Sequence, residues 1–366
     1  MSGPRLTVCV GGGGVGKTTT SSALALALAR SGRRTLVMTV DPARRLADAL
    51  GIQVGQKTQI APICMRAEGR LEAKMPDPRS SMTDFMLWLF EDPVQRARVM
   101  ENPAVKELAD SLAGVHEVLT FALLQTEIDS GSFEEIILDT APSRHALTFL
   151  AYPERIVELL EAKAMTWLAS VAPSMDAPRK TGFFAWGRAK VEGLFGRVMG
   201  VQGLRDLSAL FAELISVRQR WADLARRTHK VLKDSRTRYY LVGAPTSSAV
   251  ADVLHLAGAL GRRKLHPTAI VLNRAESDVP PHERRLTERL IREPELLGAE
   301  GHEALTRTLA ELAEEHRARS RAALVAERAF AIGSPRTKIL RLPYVGPRPP
   351  RDIVLALADA WEFAGL

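Results

Sequence analysis

The amino-acid sequence predicts an α/β fold, in which a doubly wound, mostly parallel β-sheet carries an inserted helical subdomain. The first observation is that short apolar runs alternate with helix-like segments, a pattern typical of a parallel sheet covered by helices on both faces. The second is that two long segments, about 79–130 and 152–234, have helical character and no obvious strand. We therefore expect a single domain over residues 1–366, with these two segments as helical insertions within it.

The first half of the chain contains four candidate strands. Leu6–Gly11 is a short apolar run that leads through a glycine-rich loop into a helical segment. Thr35–Val40 is a second buried strand, and Ile63–Ala67 is a third strand or a sheet edge. Glu134–Thr140 is again apolar, and it places a carboxylate near its end. Short apolar runs of this kind are consistent with strands that are buried on both faces.

The second half repeats the same pattern. Tyr239–Pro245, Thr268–Asn273 and Ile339–Val345 are apolar runs, and each leads to helix-like sequence. In such open sheets, ligands bind at the carboxyl ends of the strands, which is where we look for a site.

Composition excludes several classes of protein. No run of 18 apolar residues is present and no signal peptide is apparent, so we expect neither a membrane-spanning helix nor a secreted protein. The two cysteines, Cys9 and Cys64, provide no disulfide framework and suit a reducing compartment. We therefore expect a cytoplasmic protein.

The net charge of +8 makes nucleic acid a candidate partner. The basic residues, however, are scattered and do not interleave with aromatic ones, so we do not expect nucleic acid binding. The densest basic run, Ser216–Arg238, has helical spacing. A solvated helix face is its simplest interpretation, and a surface for acidic lipids or an acidic partner is the alternative.

The stretch VCVGGGGVGKTTTSS, Val8–Ser22, fits the phosphate-binding loop pattern G-x4-G-K-[ST] between a strand and a helix. Glycines allow backbone N–H groups to face phosphate oxygens, and the positive end of the following helix points at the same anion. Lys17 is expected to reach the β- and γ-phosphates of ATP, and the Thr18 hydroxyl to bind Mg²⁺. The predicted nucleotide-binding residues of this loop are Gly11, Gly12, Gly13, Gly14, Val15, Gly16, Lys17, Thr18 and Thr19.

Phosphoryl transfer also needs carboxylates near the metal ion. Asp41 follows the second predicted strand and Asp139 ends the fourth, so both are candidates to bind Mg²⁺ together with Thr18. Because Asp41 precedes a proline, it is also a candidate helix N-cap. Asn273 ends a later strand, where its amide either pairs with an adenine edge or serves as a turn residue.

Three segments, GGVGKTTTSSALALALA, VDPARRLADALG and ILDTAPSRHALTFL, resemble in order and interval the arsenite-pump and tail-anchored-protein-targeting ATPases. This family belongs to the deviant Walker A class of P-loop proteins. The late VLN and LRLP segments also fit, so the resemblance covers nearly the whole chain. It implies a P-loop ATPase that forms a dimer, in which ATP binding and hydrolysis expose or hide a helical surface for cargo.

The resemblance also implies roles for individual residues. Asp41 would orient or activate the attacking water, with Lys17 on the phosphates. Asp139 would hold the Mg²⁺ shell, and the segment 140–145 would form a second switch. Asn273 would read adenine, and Pro343 and Tyr344, in the segment 343–346, would lie against the base.

The sequence departs from the family at Gly12. The family's loop usually reads G-K-G-G-V-G-K-T, and its first lysine reaches across the dimer to the partner's phosphates. Three explanations for this glycine are open. In the first, Arg144 replaces the lysine as a catalytic cation, with Arg44 and Arg45 as weaker candidates. In the second, a paralogue that carries the lysine forms a heterodimer with this chain. In the third, the chain is a slow ATPase that acts as a nucleotide-gated binder.

Other departures bear on the cargo. Two cysteines are too few for a clustered metalloid site, and no CxxC pair is present, so we expect neither arsenite nor a structural zinc ion. The segment 165–199 is rich in methionine and aromatic residues. These build either an adaptable groove for a protein or hydrophobic-segment cargo, or the core of the insertion itself. Homodimer and heterodimer both stay open, as does peripheral membrane contact. The alternative function is a spatial-organising ATPase that binds DNA or membrane through a basic surface.

Overall fold

A computed structural model describes residues 3–40, 45–52, 59–60, 69–75, 78–103, 105, 115–141, 143–161, 183–277, 279–293 and 302–363. The chain divides into two compact units. The first, here called the sheet unit, comprises Met1–Met75, Phe133–Leu147 and Ser235–Leu366. The second, the helical unit, comprises Pro76–Ser132 and Thr148–Asp234.

The sheet unit contains an eight-stranded sheet of order β3-β4-β2-β5-β1-β6-β7-β8. All neighbouring strands pair in parallel except β3 and β4, which form a short antiparallel edge. The predicted α/β fold with a mostly parallel sheet is thus confirmed. The strands are β1 (Arg5–Gly11), β2 (Arg34–Thr39), β3 (Gln59–Ile60), β4 (Arg70–Lys74), β5 (Glu135–Asp139), β6 (Arg238–Gly243), β7 (Ala269–Leu272) and β8 (Lys338–Arg341).

Helices connect the parallel strands. None of those in the described ranges is both long and apolar enough to cross a membrane. The described helices are α1 (Lys17–Arg30), α2 (Arg45–Leu50), α3 (Pro78–Leu89), α4 (Pro93–Glu101), α5 (Val115–Ser130), α6 (Ser143–Glu161), α7 (Phe183–Lys233), α8 (Ser247–Arg262), α9 (Pro281–Arg292), α10 (His302–Gly333) and α11 (Pro350–Phe363).

The sheet is covered by helices on both faces, as a doubly wound fold requires. Apolar side chains of α1, α2 and α11 share one core with Tyr240 and Val242 of β6. Gly243 is the next residue along that strand, so it faces the other way. There a Cβ would lie within 3.1 Å of Val253 on α8 and Phe330 on α10. Helix α1 is buried over almost its whole length because α11 packs outside it.

The strand register brings the carboxyl ends of β1, β2 and β5 together. Cys9 of β1 and Thr39 of β2 both pair with Asp139, the last residue of β5. The carboxyl ends of three central strands therefore meet at the start of α1. Since the phosphate-binding loop follows β1, the topology places this loop between the ends of β5 and β6.

The helical unit has cores of its own. Asp92 caps α4 by accepting a hydrogen bond of 2.9 Å from the Val94 N–H, and Pro93 occupies the first helical position. Phe85, Phe90 and neighbouring apolar side chains of α3 pack against residues of α4, α5 and α7. A second cluster joins α6 to α7.

Most of the predicted strands are observed within a residue or two of their expected bounds. The candidate strand Ile63–Ala67 lies outside the described residues. Strand β4, with the sequence RLEAK, was not predicted. Only Leu71 and Ala73 of β4 are buried, and charged residues alternate with them. This strand, next to the edge of the sheet, lacks the continuous apolar run that marks the central strands.

Candidate functional site

The loop between β1 and α1 adopts a backbone that only glycine accepts easily at several points. Gly14 and Gly16 have φ angles of 74° and 88°, in the left-handed region. A Cβ at Gly16 would lie 2.3 Å from the side-chain nitrogen of Asn273. A Cβ at Gly11 would lie 2.3 Å from the carbonyl oxygen of Val242 on β6. The glycines therefore let the loop pack closely between two neighbouring strand ends.

Lys17 is the first residue of α1 and is almost completely buried, with 8% of its surface exposed. Its ammonium group donates a hydrogen bond of 2.7 Å to the carbonyl oxygen of Gly12. This contact folds the lysine back over the loop that it follows. The loop carbonyl thus holds the ammonium group against the loop.

The carboxylate of Asp139, at the end of β5, is buried and contacts Thr18, the residue after Lys17. Its Oδ2 accepts hydrogen bonds from the hydroxyl of Thr18, at 2.6 Å, and from the hydroxyl of Thr39, at 3.3 Å. A hydroxyl and a carboxylate are hard oxygen donors, the type that Mg²⁺ prefers. Thr18 and Asp139 therefore fit a magnesium ion by their chemistry and by their proximity. Asp41, the third predicted ligand, lies outside the described residues.

The segment after β5 is tied to β1. Both the N–H and the hydroxyl of Thr140 donate to the carbonyl oxygen of Cys9, the hydroxyl at 2.7 Å. Beyond it, α6 begins at Ser143, so Arg144 lies in the first turn of that helix. Of the two weaker cation candidates, Arg45 begins α2 and is exposed. Arg44 lies outside the described residues.

Asn273 is buried directly behind the loop. Its side-chain amide donates a hydrogen bond of 2.9 Å to the carbonyl oxygen of Val15, and its backbone N–H donates to Gly243. The amide nitrogen therefore supports the loop backbone in this structure. The predicted contact between Asn273 and adenine stays a prediction.

Pro343 and Tyr344 follow β8 and are exposed at the same edge of the sheet. The guanidinium of Arg319, on α10, lies 4.9 Å from the centroid of the Tyr344 ring. The same guanidinium donates from Nε to the Glu276 carboxylate at 2.9 Å. Arg319 on α10 thus contacts both the segment that follows β7 and the segment that follows β8. Sequence reasoning missed these contacts, since neither Arg319 nor Glu276 belongs to a motif.

Burial raises the pKa of the Cys9 thiol, and the neighbouring Asp139 carboxylate raises it further, while Lys17 acts in the opposite direction. Cys9 is therefore a protonated thiol in the core of the sheet, where it packs as a small apolar residue.

Several basic side chains of α7 form ion pairs within the helical unit. Arg226 pairs with Glu161 and Asp223, Arg227 with Asp129, and Lys233 with Glu154. In addition, the guanidinium of Arg220 lies 4.9 Å from the centre of the Trp88 ring. These basic side chains therefore have acidic and aromatic neighbours in their own unit, which favours a solvated helix face over a free cationic surface.

The sequence is similar to a known protein family over most of its length. The family described as anion-transporting ATPase matches residues 5–289. A protein named ATPase get3 from Aspergillus terreus is 31% identical over 216 residues, covering 58% of this chain and 57% of that protein. ATPase GET3 from Malassezia globosa is 35% identical over 167 residues, covering 46% of each chain. The chain thus spans about half the length of the curated relatives it matches. With the family matched over more than half of its residues, the chain belongs to the anion-transporting ATPase family.

Proposed function

We propose that this protein is an ATP-binding and ATP-hydrolysing dimeric switch, whose nucleotide state controls the binding of a protein or hydrophobic-segment partner. Membership of the anion-transporting ATPase family supports ATP as the nucleotide. The single observation that carries the proposal is the hydrogen bond from Thr18 to Asp139, next to the buried Lys17. A phosphate loop alone binds anions, whereas this trio joins a cation, a hydroxyl and a carboxylate at one point.

The residues of the loop would act as follows. On nucleotide binding, the ammonium group of Lys17 exchanges the Gly12 carbonyl for the β- and γ-phosphate oxygens. Thr18 and Asp139 would hold Mg²⁺, which neutralises charge on those phosphates when it is bound. The loop N–H groups and the positive end of α1 hold the remaining negative charge. Thr39 keeps the Asp139 carboxylate oriented from the neighbouring strand.

Hydrolysis also requires a positioned water and a cation at the developing charge. We assign the water to Asp41 and the cation to Arg144, both from the resemblance of their segments to the family's switches. Pro343, Tyr344 and Asn273 are assigned to the adenine end of the site. Arg319 would then hold the Tyr344 ring in place for the base.

For the partner, we propose a protein or hydrophobic segment bound through the predicted helical insertion, with segment 165–199 contributing its methionine and aromatic residues. Methionine and aromatic side chains adapt to apolar partners of varied shape. Binding would follow ATP-dependent closure of a dimer, in the cytoplasm. The ion pairs of Arg226 and Arg227 disfavour DNA or an acidic membrane as the main partner, because these two side chains already have carboxylate partners.

A second candidate function rests on Gly12. With no side chain at this position, the chain lacks the cation that the family's loop presents to its partner protomer. The chain would then bind ATP as one half of a heterodimer with a lysine-bearing paralogue, and turnover would need that partner. The two functions differ in whether the purified chain hydrolyses ATP by itself.

Titration calorimetry with ATP and MgCl₂ tests nucleotide binding directly. We expect wild-type protein to bind, and Lys17→Ala to lose at least about tenfold in affinity, since a charge-assisted contact to phosphate is removed. Lys338→Ala is the matched control, because Lys338 is an exposed lysine on β8. Equal affinity of Lys17→Ala and wild type would refute the assignment of the loop as the nucleotide site.

A further inference from the structure

The side chain of Asp252 lies directly against Gly12. Asp252 is in the second turn of α8, and a Cβ built on Gly12 would lie 2.6 Å from its Oδ2. Cβ atoms in proteins do not approach oxygen so closely, so a side chain at position 12 would have to displace the carboxylate. Gly13, one residue later, has open space where its Cβ would be. Asp252 therefore crowds position 12 and leaves position 13 open.

The Asp252 carboxylate is half-buried and has no hydrogen bond or ion pair with any residue in the described part of the chain. Its negative charge is thus not neutralised by a neighbour within those ranges. Gly12 is also the residue whose carbonyl accepts from the Lys17 ammonium. The carboxylate therefore lies next to the segment of the loop that releases Lys17 to an incoming phosphate.

We propose that Asp252 is a specificity-determining residue of the phosphate loop, which disfavours the more highly charged nucleotide and crowds any side chain at position 12. This inference rests on the proposed nucleotide binding. A fixed negative charge repels ATP, with its extra phosphate, more than ADP. Asp252 thereby lowers the preference for ATP that Lys17 and the loop N–H groups create, and it favours release of the triphosphate in the absence of a partner protomer.

The charge is tested with Asp252→Asn, which keeps the size of the side chain and removes the charge. Calorimetry with ATP and with ADP, each with MgCl₂, should show ATP affinity rising about three- to tenfold and ADP affinity rising less. The gain should shrink as NaCl is raised from low to high concentration, because salt screens the interaction. A purely structural role for Asp252 predicts no change in the ATP-to-ADP affinity ratio.

Asp359→Asn is the matched control. Asp359 pairs with Arg30 at the far end of α1, about 20 Å from the loop by the rise of a 14-residue helix. Its removal should leave the ATP-to-ADP ratio unchanged. An equal change in both variants would contradict a specific role for Asp252, as would an unchanged ratio in Asp252→Asn.

The contact with Gly12 is tested without nucleotide. Thermal unfolding of Gly12→Ala, Asp252→Ala and the double variant forms a cycle. Gly12→Ala should lower the midpoint by about 2–4 °C in the wild-type background and by less when Asp252 is already alanine. A wild-type chain that binds neither nucleotide overturns the proposed function and the charge effect together. An additive cycle overturns the contact alone, so the two failures are distinguishable.

Discussion

The hydroxyl of Thr18 donates a 2.6 Å hydrogen bond to the buried carboxylate of Asp139, across 121 residues of sequence. Thr18 is the second residue of α1, the helix that follows the loop, and Asp139 ends the neighbouring strand β5. Their contact exists because β1 and β5 pair in parallel with Cys9 opposite Asp139. The register of two strands thus assembles the oxygen pair that we assign to magnesium.

The contact between Thr18 and Asp139 predicts how ATP turnover changes in variants of these two residues. Thr18→Ser keeps the hydroxyl and should retain Mg²⁺-dependent nucleotide turnover close to wild type. Thr18→Val keeps the shape without the hydroxyl, and Asp139→Asn removes the charge. Each of these two should lower turnover by at least about 10²-fold, because metal assistance supplies several kcal/mol. Steady-state ATPase assays over a range of MgCl₂ concentrations measure this, and a fully active Thr18→Val would contradict the assignment.

The loop glycines predict a graded series of stability losses in the nucleotide-free protein. Gly13→Ala should be nearly neutral, because its Cβ would meet open space. Gly14→Ala should cost about 1–2 kcal/mol for its left-handed backbone alone. Gly16→Ala should cost more, since it adds a 2.3 Å approach to Asn273 to the same backbone strain. Urea unfolding gives the free energies, and equal losses at all three positions would mean that the loop adopts another conformation.

Cys9 should resist alkylation in the folded protein. Burial raises the pKa of its thiol, so the reactive thiolate is scarce at pH 8, and the side chain is fully buried. In a Cys64→Ser background, iodoacetamide should modify Cys9 only after denaturation, as measured by mass spectrometry. Rapid modification under native conditions would show that β1 is exposed.

The buried Cys9 thiol also predicts how stability depends on pH. Since the protonated thiol is the form that folding favours, the free energy of unfolding should decline as pH rises above the ordinary cysteine pKa of about 8.5.

We assign to Arg144 the role of the cation that Gly12 cannot supply. Arg144→Ala should leave ATP affinity nearly unchanged and slow hydrolysis by about 10³-fold, the scale of an arginine that stabilises transferred phosphate. Arg45→Ala is the comparison, as an exposed arginine at the start of α2. Single-turnover assays separate binding from chemistry. Hydrolysis by Arg144→Ala at the parent rate would remove this residue from the mechanism and leave the heterodimer or the binding-only switch.

The sequence alone was sufficient for the fold class and the loop, for physical reasons. Central strands such as β1 and β5 are buried on both faces, so their apolar runs are continuous and easy to recognise. The strand end at Asp139 follows from the same pattern. Strand β4, next to the edge of the sheet, was missed because it alternates charged and apolar residues. The helical insertions at about 79–130 and 152–234 stay a prediction, as do the roles of the individual site residues.

Asp252 and Arg319 show what the sequence could not provide. Both lie on amphipathic helices, where a charged residue is ordinarily a solvated one. Their importance comes from long-range contacts: Asp252 with Gly12, 240 positions earlier, and Arg319 with Glu276 and Tyr344. Such contacts depend on how α8 and α10 pack on the sheet. A pattern of residue types within one helix does not encode them.

The most direct test of the proposed switch is multiple-turnover ATP hydrolysis by the purified chain, with molar mass measured by light scattering in the same samples, with and without ATP and MgCl₂. We predict turnover by a homodimer whose rate per chain rises with protein concentration, and its loss in Asp41→Asn and Asp139→Asn. Tight ATP binding by a folded chain without turnover, at any protein concentration, would contradict hydrolysis by this chain alone.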